Sequence, residues 1–157
     1  MTSTDILPAP YFRARRITHV NVFTDNLDAT MEFYTGVCGI QEAYRTPATG
    51  GGFVSNGNTH HDMGFLDIKG ALGFRAPNGK PGLYHLGFEV ERETDLVSGY
   101  RRATANNVEL RAVDHDITHS LYSLAPNGFT SEIYADVITD FRSARSGVVT
   151  KPKPKWM

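Results

Sequence analysis

An α+β fold, two tandem βαβββ modules closing into a half-open barrel, is predicted by three features of the sequence. Each half opens with a strand-like stretch, at 17–24 and 83–91, followed by a helical stripe. Short strand-like pieces separated by Gly- and Asn-rich turns come after each stripe. Finally, His19 and His85 hold one place in the opening strands, Tyr34 and Tyr100 hold one place in the helices, and both pairs lie 66 residues apart. A single offset shared by a strand and a helix points to duplication. The modules span about 16–70 and 82–137, with residues 1–15 as an N-terminal arm and 138–157 as a C-terminal tail.

The first strand alternates Ile17, His19, Asn21 and Phe23 with Thr18, Val20, Val22 and Thr24. Asp25 is placed to cap the next helix, whose stripe is Leu27, Met31, Tyr34 and Cys38, with Gly39 ending it. Strands near 40–46, 52–56 and 60–68 follow. In the second half, LYHLGFEVE leads to a helix capped by Thr94 and striped by Leu96, Tyr100 and Ala103. Strands near 108–113, 118–125 and 130–136 complete it. The terminal KPKPKWM is basic and too proline-rich for a helix or a central strand.

The 157 residues suit one compact domain, and 40% hydrophobic with 21% charged residues describe an ordinary globular chain. A net charge of −1 without charge blocks attracts neither nucleic acid nor an anionic membrane, which favours a small-molecule partner. No apolar run approaches the roughly 20 residues of a membrane span, and no signal-peptide pattern opens the chain. The lone Cys38 allows no internal disulfide. A cytoplasmic location is expected.

Facing first strands would bring His19 and His85 together across the barrel. Glu132 in the last strand, TSEIYAD, is the natural third ligand, because a buried carboxylate is costly unless paired or metal-bound. The same residue also reads as an exposed strand carboxylate. The 66-residue offset maps Glu132 onto Leu66, which cannot bind metal, although a one-residue slip would bring Asp67 there. Two imidazoles and one carboxylate leave half of a coordination sphere open, an arrangement suited to non-haem Fe(II).

The segment VDHDITHSLYSLAPNGFTSE (113–132) places Val113, His115, Leu121-Tyr122, Ala125-Pro126, Asn127-Gly128 and Glu132 in order. Its Ala-Pro-Asn-Gly turn folds the chain back, so that Tyr122 and Glu132 lie on adjacent antiparallel strands. Tyr122 is then either a phenol beside the metal or a packing residue of the hairpin. The segment resembles the signature of the type I extradiol ring-cleavage dioxygenases, within the vicinal oxygen chelate (glyoxalase/bleomycin resistance/dioxygenase) superfamily. THVNVFTDNLDATMEFYTGVCGI and NGNTHHDMGFLD resemble first-half segments of the same family, so the likeness covers roughly residues 16–137.

The resemblance implies Fe(II) on His19, His85 and Glu132. It also implies that His115 and Tyr122 hydrogen-bond the substrate, and that His61 stabilises bound oxygen or acts in proton transfer. On a regular strand His60 would point inward with Leu66, and a bulge would turn in His61 instead. The implied reaction is cleavage of a catechol, such as a 2,3-dihydroxybiphenyl or an alkylcatechol, beside its hydroxyl groups with O₂. The alternatives are a glyoxalase-like isomerase, a fosfomycin-type transferase or a metal-free aromatic-binding module. Phe53, Met63, Phe65 and Phe129 read equally as pocket wall or core, and His119 as surface. The best-known relatives have about twice this length, so a homo-oligomer covering the open sides of the barrel is expected.

Overall fold

β1 (Arg16–Thr24) and β5 (Gly82–Glu89) run antiparallel at the middle of one sheet. The computed structural model describes residues 9–69, 79–126, 129–139 and 151–152. In each module the opening strand pairs in parallel with the module's last strand: β1 with β4 (Met63–Asp67) and β5 with β8 (Thr130–Asp136). Antiparallel strands then extend outward. On one side these are β3 (Gly51–Ser55) and β2 (Gln41–Thr46), and on the other β7 (Thr118–Leu124) and β6 (Arg111–Asp114). The order is β2-β3-β4-β1-β5-β8-β7-β6-β9, where β9 is the two-residue Lys151–Pro152 at the edge of β6. The sheet curls into a half-barrel, the α+β architecture that the repeat predicts.

Alternation divides the strand residues between cavity and outer layer. The outer layer of the first module is α1 (Leu27–Gly36), whose Met31 packs on Val54 and Phe65. Met63 and Phe65 therefore belong to this core. Burying a side chain such as Met31 contributes about 1.5–3 kcal/mol. Asn26, and not the expected Asp25, caps α1: its side chain accepts a hydrogen bond from the Ala29 amide at 3.1 Å. The Thr24 hydroxyl fixes this choice by accepting the Asn26 N–H at 3.2 Å. Cys38 lies past the helix end and is exposed, contrary to its expected place on the buried stripe.

In the second module α2 (Glu93–Ala105) buries Leu96 and Ala103, Leu96 against Val90, Leu121 and Ala135. Its cap is Arg92, which makes no side-chain capping bond, and Thr94 falls inside the first turn. Asp95 there pairs with Arg92 at 3.0 Å. The N-terminal arm lays Phe12 against α2 at Gly99, where a side chain would overlap the phenyl ring. No helix among the described residues is long and apolar enough to cross a membrane.

β2 pairs with β3 through a register shift between Glu42 and Tyr44. Tyr44 is thereby set opposite Phe53, and the two rings stack with centroids 4.5 Å apart.

Candidate metal centre

His19 on β1, His85 on β5 and Glu132 on β8 converge at the floor of the cavity. The Glu132 Oε2 lies 2.8 Å from His19 Nε2 and 3.0 Å from His85 Nε2, and the two nitrogens are 3.3 Å apart. Sheet register produces this meeting. Glu132 pairs with Gly87, and Gly87 pairs across the seam with His19, whose ring lies over the glycine where a side chain would collide. All three residues are at most 4% exposed. Burial pushes the Glu132 carboxyl toward protonation, but hydrogen bonds and charge from His19, then His85, together outweigh it and hold the group well below the ordinary carboxylate range. Behind His19, Thr18 Oγ1 lies 3.4 Å from Nδ1 and accepts the Tyr134 hydroxyl at 2.7 Å.

The 66-residue offset does not hold in the last strand of each module. β4 pairs with β1 so that Gly64 stands opposite Asn21, as Glu132 stands opposite Gly87. The first-half counterpart of Glu132 is therefore Gly64 and not Leu66. Leu66 lies two residues further along the same strand face and walls the cavity with Phe53. Above Gly64 sits the Asn21 amide, its Nδ2 2.9 Å from His85 Nε2. Asn21 was legible only as the next inward position after His19.

His60 and His61 both line the cavity, because β4 begins at Met63 and both histidines lie in the loop before it. Strand alternation thus does not apply to them. The His61 ring centroid is 4.4 Å from that of His19, and the His60 centroid is 5.5 Å away. His19, His60 and His61 form a second set of converging donors that shares His19. His60 faces Asp136, with Nδ1 3.5 Å from Oδ1. His61 Nδ1 is 3.1 Å from the Tyr44 hydroxyl, and its Nε2 is buried without a hydrogen-bond partner among the described residues. Burial drives the Tyr44 pKa up and keeps the phenol protonated; burial, then the fields of His60 and His19, drive the His61 pKa well down. A protonated Tyr44 donates to Nδ1, which leaves the proton of a neutral His61 on Nε2, toward the cavity.

Tyr122 pairs with Glu132 in register, and its hydroxyl is 2.9 Å from His115 Nε2. Burial, then the Glu132 charge, raises its pKa well above that of a free phenol. Burial lowers the pKa of the half-buried His115. The Arg111 guanidinium lies 5.1 Å from the centre of the Tyr122 ring, a contact that sequence reading did not find. Phe129 is exposed and forms no wall. His119 is not a free surface group: it lies outside the cavity, half-buried, with Nδ1 2.7 Å from Glu93 on α2.

Residues 16–133 match the model of the Glyoxalase/Bleomycin resistance protein/Dioxygenase superfamily. A curated relative, biphenyl-2,3-diol 1,2-dioxygenase 3 of Rhodococcus globerulus, is 31% identical over 123 residues, covering 77% of this chain and 63% of the relative. The chain thus spans less than two thirds of that relative's length. Among solved structures, the Mn(II)-bound glyoxalase of Novosphingobium aromaticivorans shares the fold with a TM-score of 0.66 at 20% identity, over 82% of this chain and 40% of that one. The 2,2',3-trihydroxybiphenyl 1,2-dioxygenase of Sphingomonas wittichii strain RW1 does so with 0.62 at 24% identity, over 81% of this chain and 45% of that one. With its paired modules, curled sheet and matched residues, the chain belongs to the glyoxalase/bleomycin resistance protein/dioxygenase superfamily.

Proposed function

We propose that this chain holds Fe(II) on His19, His85 and Glu132 and uses O₂ to open a catechol ring beside its hydroxyl groups. The observation that carries the reading is the triangle of donor atoms. Ligands about 2.1 Å from one ion and at right angles to each other stand about 3 Å apart, and the three edges measure 2.8, 3.0 and 3.3 Å. Two imidazoles and one carboxylate on one face of an ion fit non-haem Fe(II). Bound iron would mediate electron transfer from an electron-rich ring to O₂.

The protein's own groups supply orientation and hydrogen-bond donors. Tyr122, held protonated and placed by His115, donates to a catechol oxygen. His61 offers an Nε2–H hydrogen bond from the opposite wall, where Tyr44 fixes the tautomer. Phe53, Leu66 and Ile117 form an apolar wall that limits water near the reacting atoms. The dioxygenase relative supports a catecholic substrate.

The test is anaerobic loading with Fe(II), addition of 2,3-dihydroxybiphenyl or 3-methylcatechol, and admission of air. Oxygen consumption matched by a yellow ring-opened product is expected. Protein that carries one iron per chain yet consumes no oxygen with a panel of catechols overturns the reading.

A further inference from the structure

The two halves of the site differ by one exchange. The pseudo-twofold relation of β1 to β5 carries His19 onto His85 and Asn21 onto Gly87, and the parallel pairings carry Glu132 onto Gly64. Where the second half has glycine beside glutamate, the first has asparagine beside glycine. The exchange is steric as well as formal, since a side chain on Gly64 would overlap Asn21 Oδ1. Asn21 is 6% exposed and lines the cavity, with Nδ2 2.9 Å from His85 Nε2 and Oδ1 buried without a hydrogen-bond partner among the described residues.

We propose that Asn21 fills the fourth protein corner of the metal centre with a neutral amide, excluding a second carboxylate and reserving the coordination position beside His85 for an exogenous oxygen ligand. The proposal rests on the reading of His19, His85 and Glu132 as metal ligands. A carboxylate in this corner would bind a divalent ion tightly and neutralise it. An amide carries no charge and competes poorly for a hard cation. Once the His85 Nε2 lone pair is on a metal, it no longer accepts from Nδ2. The amide N–H would then be free to donate, and an anionic oxygen of an exogenous ligand is the class of acceptor it fits.

Asn21→Asp tests this, because it changes charge and donor set at almost constant shape. Fe(II) and Mn(II) are titrated anaerobically by calorimetry, and 4-nitrocatechol is added to the metal-loaded protein as an optical probe of exogenous binding. The variant is expected to bind metal roughly tenfold more tightly or better, and to bind 4-nitrocatechol at least roughly tenfold more weakly. Its metal-free form is expected to melt lower, with two buried carboxylates close together. Asn21→Gly combined with Gly64→Glu transplants the second half's arrangement into the first and is expected to shift both affinities in the same directions. Metal and nitrocatechol affinities of Asn21→Asp within about twofold of wild type overturn the proposal while leaving the three-ligand site intact. A wild-type chain that takes up neither metal overturns both together.

Discussion

Glu132 is the residue on which the site turns, because its charge is retained in a buried position only through two imidazoles. Removing it leaves a void and two histidines 3.3 Å apart. Glu132→Ala is expected to lower metal retention by roughly a hundredfold or more, read by metal analysis after anaerobic loading and desalting. Tyr122→Phe removes one hydroxyl and no ligand. It is expected to keep one metal per chain while turnover of 2,3-dihydroxybiphenyl falls by about a hundredfold. The chain Tyr134–Thr18–His19 orients the first imidazole from behind. Thr18→Val is expected to weaken metal binding about tenfold with little change in melting temperature, measured by calorimetry beside a thermal scan.

Among the elements, the opening strands were the most legible, because His19, Asn21 and Phe23 share one face of β1 by simple alternation. The helices followed from their apolar stripes, and their caps missed by one or two residues, at α1 because a neighbouring hydroxyl positions the cap and at α2 because no side chain caps the helix. Thr24 places Asn26 as the cap, and Arg92 takes the place that Thr94 suggested. The site was harder to read where the two modules diverge. A two-residue slip in β4 replaces Leu66 with Gly64, and no periodicity reports a slip between strands that meet only in space. His60 and His61 escaped the alternation rule because they precede their strand. Gly87 in β5 yields a prediction at this scale. Gly87→Ala would push a methyl group into the His19 ring. It is expected to cost about 1–3 kcal/mol of stability and to abolish stoichiometric metal uptake, as urea melts and metal analysis would show.

For the whole molecule, the proposed ligands bridge the seam between modules, with His19 from one and His85 and Glu132 from the other. A metal held there would bind the folded chain and not the unfolded one. At a free concentration a hundredfold above its Kd it stabilises the fold by about 2.7 kcal/mol. The melting temperature is expected to rise by about 5–10 °C with Fe(II) under argon, and the rise is expected to vanish in Glu132→Ala.

The shifted register in β2 sets which face of the sheet Tyr44 occupies. Gly52 faces α1, with the Met31 sulfur beside it, whereas Phe53 faces the cavity. Were β2 to pair without this shift, Ala43 would stand opposite Phe53 and Tyr44 opposite Gly52, turning its phenol toward the helix layer. His61 would then lose the donor that sets its tautomer, so the extra residue that Ala43 adds at the rim of the sheet decides which His61 ring nitrogen carries hydrogen.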